Sequence, residues 1–293
     1  MISIDEEKCN LCGLCIPVCV RRILKTGSKS AEVTDPSLCL ACGHCKAVCP
    51  ADAPQFPGLN EEFIPVPLRK EMPTAAALFQ FLRRRRSLRV YQDLPVENAK
   101  LKMLVEAGRY APTGSNRQAC EYIILSGRKI LDPVCTLATQ ALQEEGRKIQ
   151  EAVDQYRQAK KPLPAELDSQ QFFPAVWERI AKKWKEGADQ LLHRAPALIL
   201  IHIKENSATT AELDAGIAAT QMVLMAEALD LGTCFIAFLV RTLQESKELR
   251  TLLKIPINHR VYVAFTVGYP AVTYLRLTGR RPAKVKWIGE VSE

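Results

Sequence analysis

Continuous apolar runs bounded by polar residues mark the strands of this chain. EYIILS at 121–126, ALILIHI at 197–203 and RVYVAFTV at 260–267 read as strands, the last closed by Gly268-Tyr269-Pro270. TCFIAF at 233–238 reads as a strand or extended segment, and AEVTD at 31–35 as a short strand. Between these runs the period lengthens. Leu101, Leu104, Val105 and Gly108 recur at helical spacing within 97–110, and Thr74 is placed to cap a helix through Leu82. Residues 136–190 are polar with widely spaced apolar positions, which predicts two or three amphipathic helices and a candidate cover over a site. Asp214 opens a helix running to near Gly232 that is apolar on nearly every face, so it must be buried. Thr242-x-x-Glu245 has the form of a capping box for a helix to about Leu253. Strands and helices mix without strict βαβ alternation, which predicts an α+β fold, a central mixed sheet flanked by helices.

Prolines divide this pattern. Pro50, Pro54, Pro57, Pro65, Pro67 and Pro73 exclude helix and central strand and keep the segment stiff. The expected organisation is a front domain at 1–57, a proline-rich linker at 58–73 and a larger domain at 74–293. The length, 293 residues, is ample for a real core. The longest soft stretch, Ala215 to Ala226, ends at Asp214 and Glu227 and is too short for a membrane span, which needs about 20 residues. The acidic start, MISIDEEKCN, lacks the apolar region of a secretory signal, so the expected location is cytoplasmic.

Composition changes the picture at the cysteines. Eight of the 11 fall in the first 49 residues, as Cys9-x2-Cys12-x2-Cys15-x3-Cys19 and Cys39-x2-Cys42-x2-Cys45-x3-Cys49. Two residues between ligands let one tight loop place three thiolates on three irons of a cube, while the fourth cysteine serves the neighbouring cube. The expected sets are Cys9, Cys12, Cys15 and Cys49 for one [4Fe–4S] cluster and Cys39, Cys42, Cys45 and Cys19 for the other. Gly13 and Gly43 hold matching places, where backbone passes close to sulfide. A disulfide framework needs a secreted context, and zinc sites do not use two quartets each ending in a lone fourth cysteine. Residues 1–57 resemble two-cluster bacterial ferredoxins. Cys120, Cys135 and Cys234 read as small buried hydrophobes. His44 lies in a cluster loop as an exposed bystander or a tuner of potential. His193, His202 and His259 show no ligand pattern, and no metal site is expected of them.

Charge is uneven. Residues 1–57 carry six basic and six acidic side chains, so the net +8 resides in the remainder. The run Arg83-Arg84-Arg85-Arg86 raises nucleic acid, an anionic cofactor or a solvated helix end. No RRM, KH or helix-turn-helix pattern supports nucleic acid. No two glycines stand two apart, so the dinucleotide fingerprint is absent, as are Walker, H-E-x-x-H and G-x-S-x-G motifs. If extended, the segment turns Arg85, Ser87 and Arg89 to one side, two guanidinium forks and a hydroxyl toward one anion.

Five segments in order, Arg85-Arg86-Ser87-Leu88-Arg89, Ala111-Pro112-Thr113-Gly114-Ser115-Asn116-x-Gln118, Asp214 to Cys234, Gly268-Tyr269-Pro270 and Arg280-Arg281-Pro282, resemble the FMN-dependent nitroreductase family. With the front domain the chain looks like a ferredoxin–nitroreductase fusion. The resemblance implies that Arg85, Ser87, Arg89 and Arg280 hold the FMN phosphate, with Arg86 toward the ring. It places Pro112, Thr113, Gly114 and Asn116 near ring or ribityl, partly across a homodimer interface. It puts the backbone N–H groups of Ile236 and Ala237 near flavin N5. The function it implies is an oxidoreductase that relays electrons from a low-potential donor through two clusters to FMN and on to a planar, electron-poor acceptor, a nitroaromatic or quinone. No side-chain acid is required. The alternatives are an electron carrier with a non-catalytic second domain and a nucleic-acid-binding iron–sulfur protein.

Overall fold

The computed structural model describes residues 2–56 and 63–289. Residue 57, the expected end of the front domain, and 58–62 of the expected linker therefore lie outside the described residues.

The front part is built twice. Strand β1 (Ser3–Ile4) pairs antiparallel with β4 (Pro54–Gln55), and β2 (Leu24–Thr26) with β3 (Ala31–Val33), with the one-turn helix α1 (His44–Ala47) before β4. The backbone repeats at a spacing of 30 residues. Leu11 and Ala41, Gly13 and Gly43, and Arg22 and Asp52 all take positive φ. The core is slight, Ile2, Ile23, Leu24 and Ala31 closing on Cys15 and Cys45. Beyond the front part, Arg69–Glu71 forms a single 3-10 turn within the proline-rich stretch.

The larger part opens with α2 (Ala75–Arg84), whose N-cap Thr74 accepts from Ala77 N–H as expected. Helix α3 (Asn98–Arg109) buries Leu101, Leu104 and Gly108, three members of its helical period. Strand β5 (Glu121–Ser126) leads into α4 (Arg128–Gln158), which starts before residue 136 and runs through Pro133. Helices α5 (Ala165–Gln170) and α6 (Phe173–Lys185) follow, then β6 (Ala197–Lys204) and α7 (Ala211–Ala228). The chain closes with β7 (Gly232–Phe235), α8 (Ala237–Glu245), α9 (Lys247–Leu252) and β8 (His259–Gly268).

The four strands of this part order as β5-β6-β8-β7, every pair antiparallel, and the parallel element is an isolated bridge between Ser87 and Thr233. Alternation sorts side chains to two cores. Ile199, Ile201, Ile203 and Phe265 pack with α3 and α7, and Leu198, Leu200, Val261 and Ala264 pack with α4, α6, α8 and α9. The stretch expected as a cover is thus wall: α4 contributes nine buried residues, and Trp177 of α6 is fully buried against Phe173 and Phe238.

Two local expectations fail for identifiable reasons. The extended run ends at Phe235 because the chain turns into α8 at Ala237. Thr242 does not cap a helix; it lies inside α8 and its hydroxyl donates back to Leu239 O, while Ser246 caps α9 by accepting from Leu249 N–H. Thr242 and Glu245 both lie inside α8, and the cap of α9 is a different residue without a box partner, since Leu249 follows Ser246 at the third position.

Candidate functional site

The structure gathers the cysteines in the crossed sets. One concavity is lined by Cys9, Cys12, Cys15 and Cys49, another by Cys19, Cys39, Cys42 and Cys45. Positive φ at Leu11 and Gly13, and again at Ala41 and Gly43, curls each loop around its thiols. At Gly43 a side chain would also strike the Phe63 ring at 2.9 Å. Backbone N–H groups of Ala31, Ala41 and Ala53 donate to the sulfurs of Cys9, Cys39 and Cys49, each at 3.4 Å. Burial pushes the Cys45 thiol up to about 11, and the neighbouring Cys42 and Cys15 add to this. Four crowded thiolates in a near-apolar lining call for a compensating positive centre, and an iron–sulfur cube fits that donor set.

A second grouping lies along β7. Leu88 N–H donates to Thr233 O at 2.8 Å, and Leu88 packs so closely on Gly232 that no larger residue fits there without displacement. This pairing draws out residues 85–89 and alternates their side chains. Arg85, Ser87 and Arg89 converge on Cys234, whose thiol is raised by burial and pulled back by Arg89, Ser87 and Arg85. Neither Arg85 nor Arg89 has an acidic partner among the described residues. Two unneutralised guanidinium groups and a hydroxyl in one place suit an anion such as a phosphate. The rest of the run goes elsewhere. Arg84 pairs with Glu227 at 2.8 Å, and Arg83 meets Gln80. Arg86 donates to Arg276 O at 2.8 Å, its guanidinium 4.0 Å from the centre of the Tyr274 ring. Arg280 donates to Thr278 and Gly279, its own neighbours, and is not drawn to Cys234.

Beyond β7, Ile236 N–H is engaged by Ala264 O at 2.8 Å. Ala237 begins α8, where a first-turn N–H has no intrahelical acceptor.

The loop 112–118 forms a third grouping, away from the arginines. Gly114 N–H donates to Asp214 Oδ1 at 3.1 Å, and Thr210 donates to the same oxygen at 2.9 Å. Asp214 is buried at the start of α7, and its Oδ2 has no partner. Burial and the Asp214 charge raise the Cys120 thiol to about 11, so it stays protonated near neutral pH. Pro112, Thr113 and Asn116 face a cavity of about 1160 Å³ whose opposite wall is Val18, Arg21, Cys42 and His44. Asn116 Nδ2 crosses to donate to Leu40 O at 3.0 Å and Ala41 O at 3.2 Å, the two residues between Cys39 and Cys42. Asn116, expected beside a flavin, thus touches the second cysteine loop.

Sequence reasoning passed over several of these partners. Asp214 was visible only as a helix opener, since no spacing links it to a glycine 100 positions earlier. Tyr91, which donates to Leu88 O at 2.9 Å and meets Thr266 at 2.8 Å, locks the arginine segment onto β8 and carried no motif.

Comparison with known proteins bears on this geometry. Residues 82–269, well over half of the chain, match the Nitroreductase family. The chain belongs to that family. Residues 1–50 match a 4Fe-4S dicluster domain, so this member of the Nitroreductase family carries two [4Fe–4S] clusters at its front. A nitroreductase with bound FMN from Bacteroides fragilis NCTC 9343 superposes with a TM-score of 0.53 at 20% identity, covering 72% of this chain and 98% of that one. Another with bound FMN, from Desulfitobacterium hafniense DCB-2, gives 0.50 at 18% identity over 72% and 97%. These likenesses show the shared fold. No curated protein matches the chain. No helix among the described residues is long and apolar enough to cross a membrane.

Proposed function

We propose that this electron-transfer oxidoreductase takes electrons at two [4Fe–4S] clusters and passes them to FMN, which reduces a planar, electron-poor organic acceptor such as a nitroaromatic or quinone. Bound FMN would supply the chemistry, accepting electrons singly and delivering them as a pair. Cys9, Cys12, Cys15 and Cys49 would hold one cluster and Cys39, Cys42, Cys45 and Cys19 the other. Arg85, Ser87 and Arg89 would hold the FMN phosphate, and Ala237 N–H stands free to meet the ring. The observation that carries the reading is the Asn116 contact, which ties the second cysteine loop to the loop expected against the flavin. It supports an order in which the Cys39 cluster would serve the flavin and the Cys9 cluster would meet an outside donor.

The same geometry argues for a second copy. Gly114 is pinned to Asp214 near one end of α7, and Arg84, next to the phosphate cradle, to Glu227 near the other. The helix between them is about 20 Å long, at 1.5 Å per residue. That is farther than one FMN reaches from phosphate to ring. Two chains in antiparallel register would set the cradle of one against the Asn116 loop of the other. Apolar residues available for that contact include Leu78, Phe79 and Leu82 on α2, a helix with no buried residue, and Leu275 and Trp287 beyond β8. The family resemblance implies the same homodimer. A cytoplasmic location suits eight thiols kept reduced for metal.

Anaerobically isolated protein should contain eight irons and one releasable FMN per chain, and Arg89→Ala should empty the flavin while leaving iron unchanged. Iron without flavin in the parent protein would favour the carrier reading instead. Rapid mixing of cluster-reduced protein with a nitroaromatic or quinone should reoxidise the clusters. Clusters that stay reduced while FMN is present would exclude the relay.

A further inference from the structure

We propose that Glu121, His202 and His259 form a binding site for one divalent transition-metal ion of the zinc class. The three residues come from three adjacent strands, β5, β6 and β8. Glu121 lies directly opposite His202, and His259 opposite Lys204, two residues farther along β6. Period-two alternation therefore puts all three side chains on one face of the sheet. A register shift interrupts the β6–β8 ladder between Ile201 and His202, and irregularities of this kind re-aim a side chain.

The donors converge. His202 Nδ1 and His259 Nδ1 are 2.9 Å apart, Glu121 Oε1 is 3.8 Å from His259 Nδ1, and all three ligand atoms lie within 4.8 Å of one another. A zinc ion holds nitrogen and carboxylate ligands at about 2.0–2.2 Å, so two of its ligands stand at most about 4.4 Å apart, a span that takes in the 2.9 and 3.8 Å separations. Both histidines are buried, while Glu121 is 55% exposed at its side chain, which leaves an entry side and room for a water as fourth ligand. Imidazole with one carboxylate is a donor set for zinc and its neighbours rather than for calcium or magnesium. Arg250 is the nearby cation, but its guanidinium donates to the carbonyls of Pro256 and His259 rather than to the ring nitrogens.

A shared proton is the competing occupant of the histidine pair. It satisfies two nitrogens and makes Glu121, 3.8 Å from His259 Nδ1, the counter-ion of a charged pair, whereas a metal takes all three residues as direct ligands. The placement gives the ion a task. Glu121 begins the strand that follows the Asn116 loop, so a metal here would anchor that loop to β6 and β8. The site shares no residue with the cluster or phosphate groupings, so it stands or falls apart from the proposed relay.

The test uses the holoprotein under anaerobic conditions with buffered Zn²⁺ as the probe. Expected is one zinc per chain with nitrogen and oxygen at about 2.0–2.2 Å and no sulfur near 2.3 Å in zinc-edge X-ray absorption. Glu121→Gln, a change at an exposed side chain, should weaken zinc by about tenfold or more. His259→Gln should abolish uptake, with iron content unchanged in both. Zinc should raise the Tm of the parent and not of Glu121→Gln, which keeps the test decisive if His259→Gln fails to fold. No zinc in the parent, a sulfur shell, or equal affinity in Glu121→Gln would overturn the site in favour of the shared proton or a cysteine-bound ion.

Discussion

The two parts of this chain are held together by different physics. Residues 63–289 close two apolar cores on a four-stranded sheet, with Trp177, Phe265 and most of β6 out of contact with water. Residues 2–56 have two short ribbons, a handful of buried apolar side chains and eight cysteines. A core that small cannot offset the chain entropy, so what the thiols bind must hold the fold. The large part is stabilised by its interior and the small part by its cargo. The second cysteine loop and the Asn116 loop sit where these two regimes meet.

The sharpest way to break this contrast is to remove the iron. Chelation of the reduced protein, or Cys39→Ser with Cys42→Ser, should abolish hydrogen-exchange protection across 2–56 while the larger part keeps its Tm. Coincident melting of both parts would show that the cores are shared. The converse change is Trp177→Ala, which should cost about 3–5 kcal/mol in the larger part and leave the iron count intact, read by urea melts and iron analysis.

Gly232→Ala tests the seam between scaffold and cradle. The added methyl must displace Leu88, so we expect a loss of about 1–3 kcal/mol and a fall in bound FMN larger than stability alone explains. Full flavin occupancy would detach the cradle from β7.

The smallest effect is electrostatic and should be confined to the larger part. His193 is held below its usual range by burial; Asp189 opposes this and Arg89 adds to it. Because the unfolded chain takes up that proton first, stability is complete above pH 6.5, the ordinary histidine value, and declines as pH falls below it toward the lower folded value. Thermal melts between pH 7.5 and 5.5 should show the decline, and His193→Asn should flatten it. An unchanged slope in that variant would assign the proton elsewhere.

Much of this was legible beforehand because it is local. The doubled cysteine spacing predicted two crossed quartets, and the same quartets line two concavities. The runs at 121–126, 197–203 and 260–267 became β5, β6 and β8; the unbroken apolar run of β6 is buried throughout, whereas β5, at the sheet edge, buries only Leu125. The arginine run was legible as a candidate but not in its division, since pairing with Thr233 decides which guanidinium groups face Cys234 and which face the C-terminal stretch. Thr242 misled because a threonine hydroxyl can bond back to the preceding turn inside a helix as well as cap one, and the local pattern does not tell the two apart.

Composition and spacing by themselves determined that this polypeptide has an iron-binding front and an α+β body, and they singled out the arginine segment as a candidate for an anion, since each depends on residues close in sequence. Only the tertiary structure decided that Asn116 reaches the second cysteine loop, that the cradle and the Asn116 loop stand at opposite ends of α7, and that Glu121, His202 and His259 meet. Those facts depend on strand register and helix length, which bring together positions far apart in the chain and leave no mark on the local pattern.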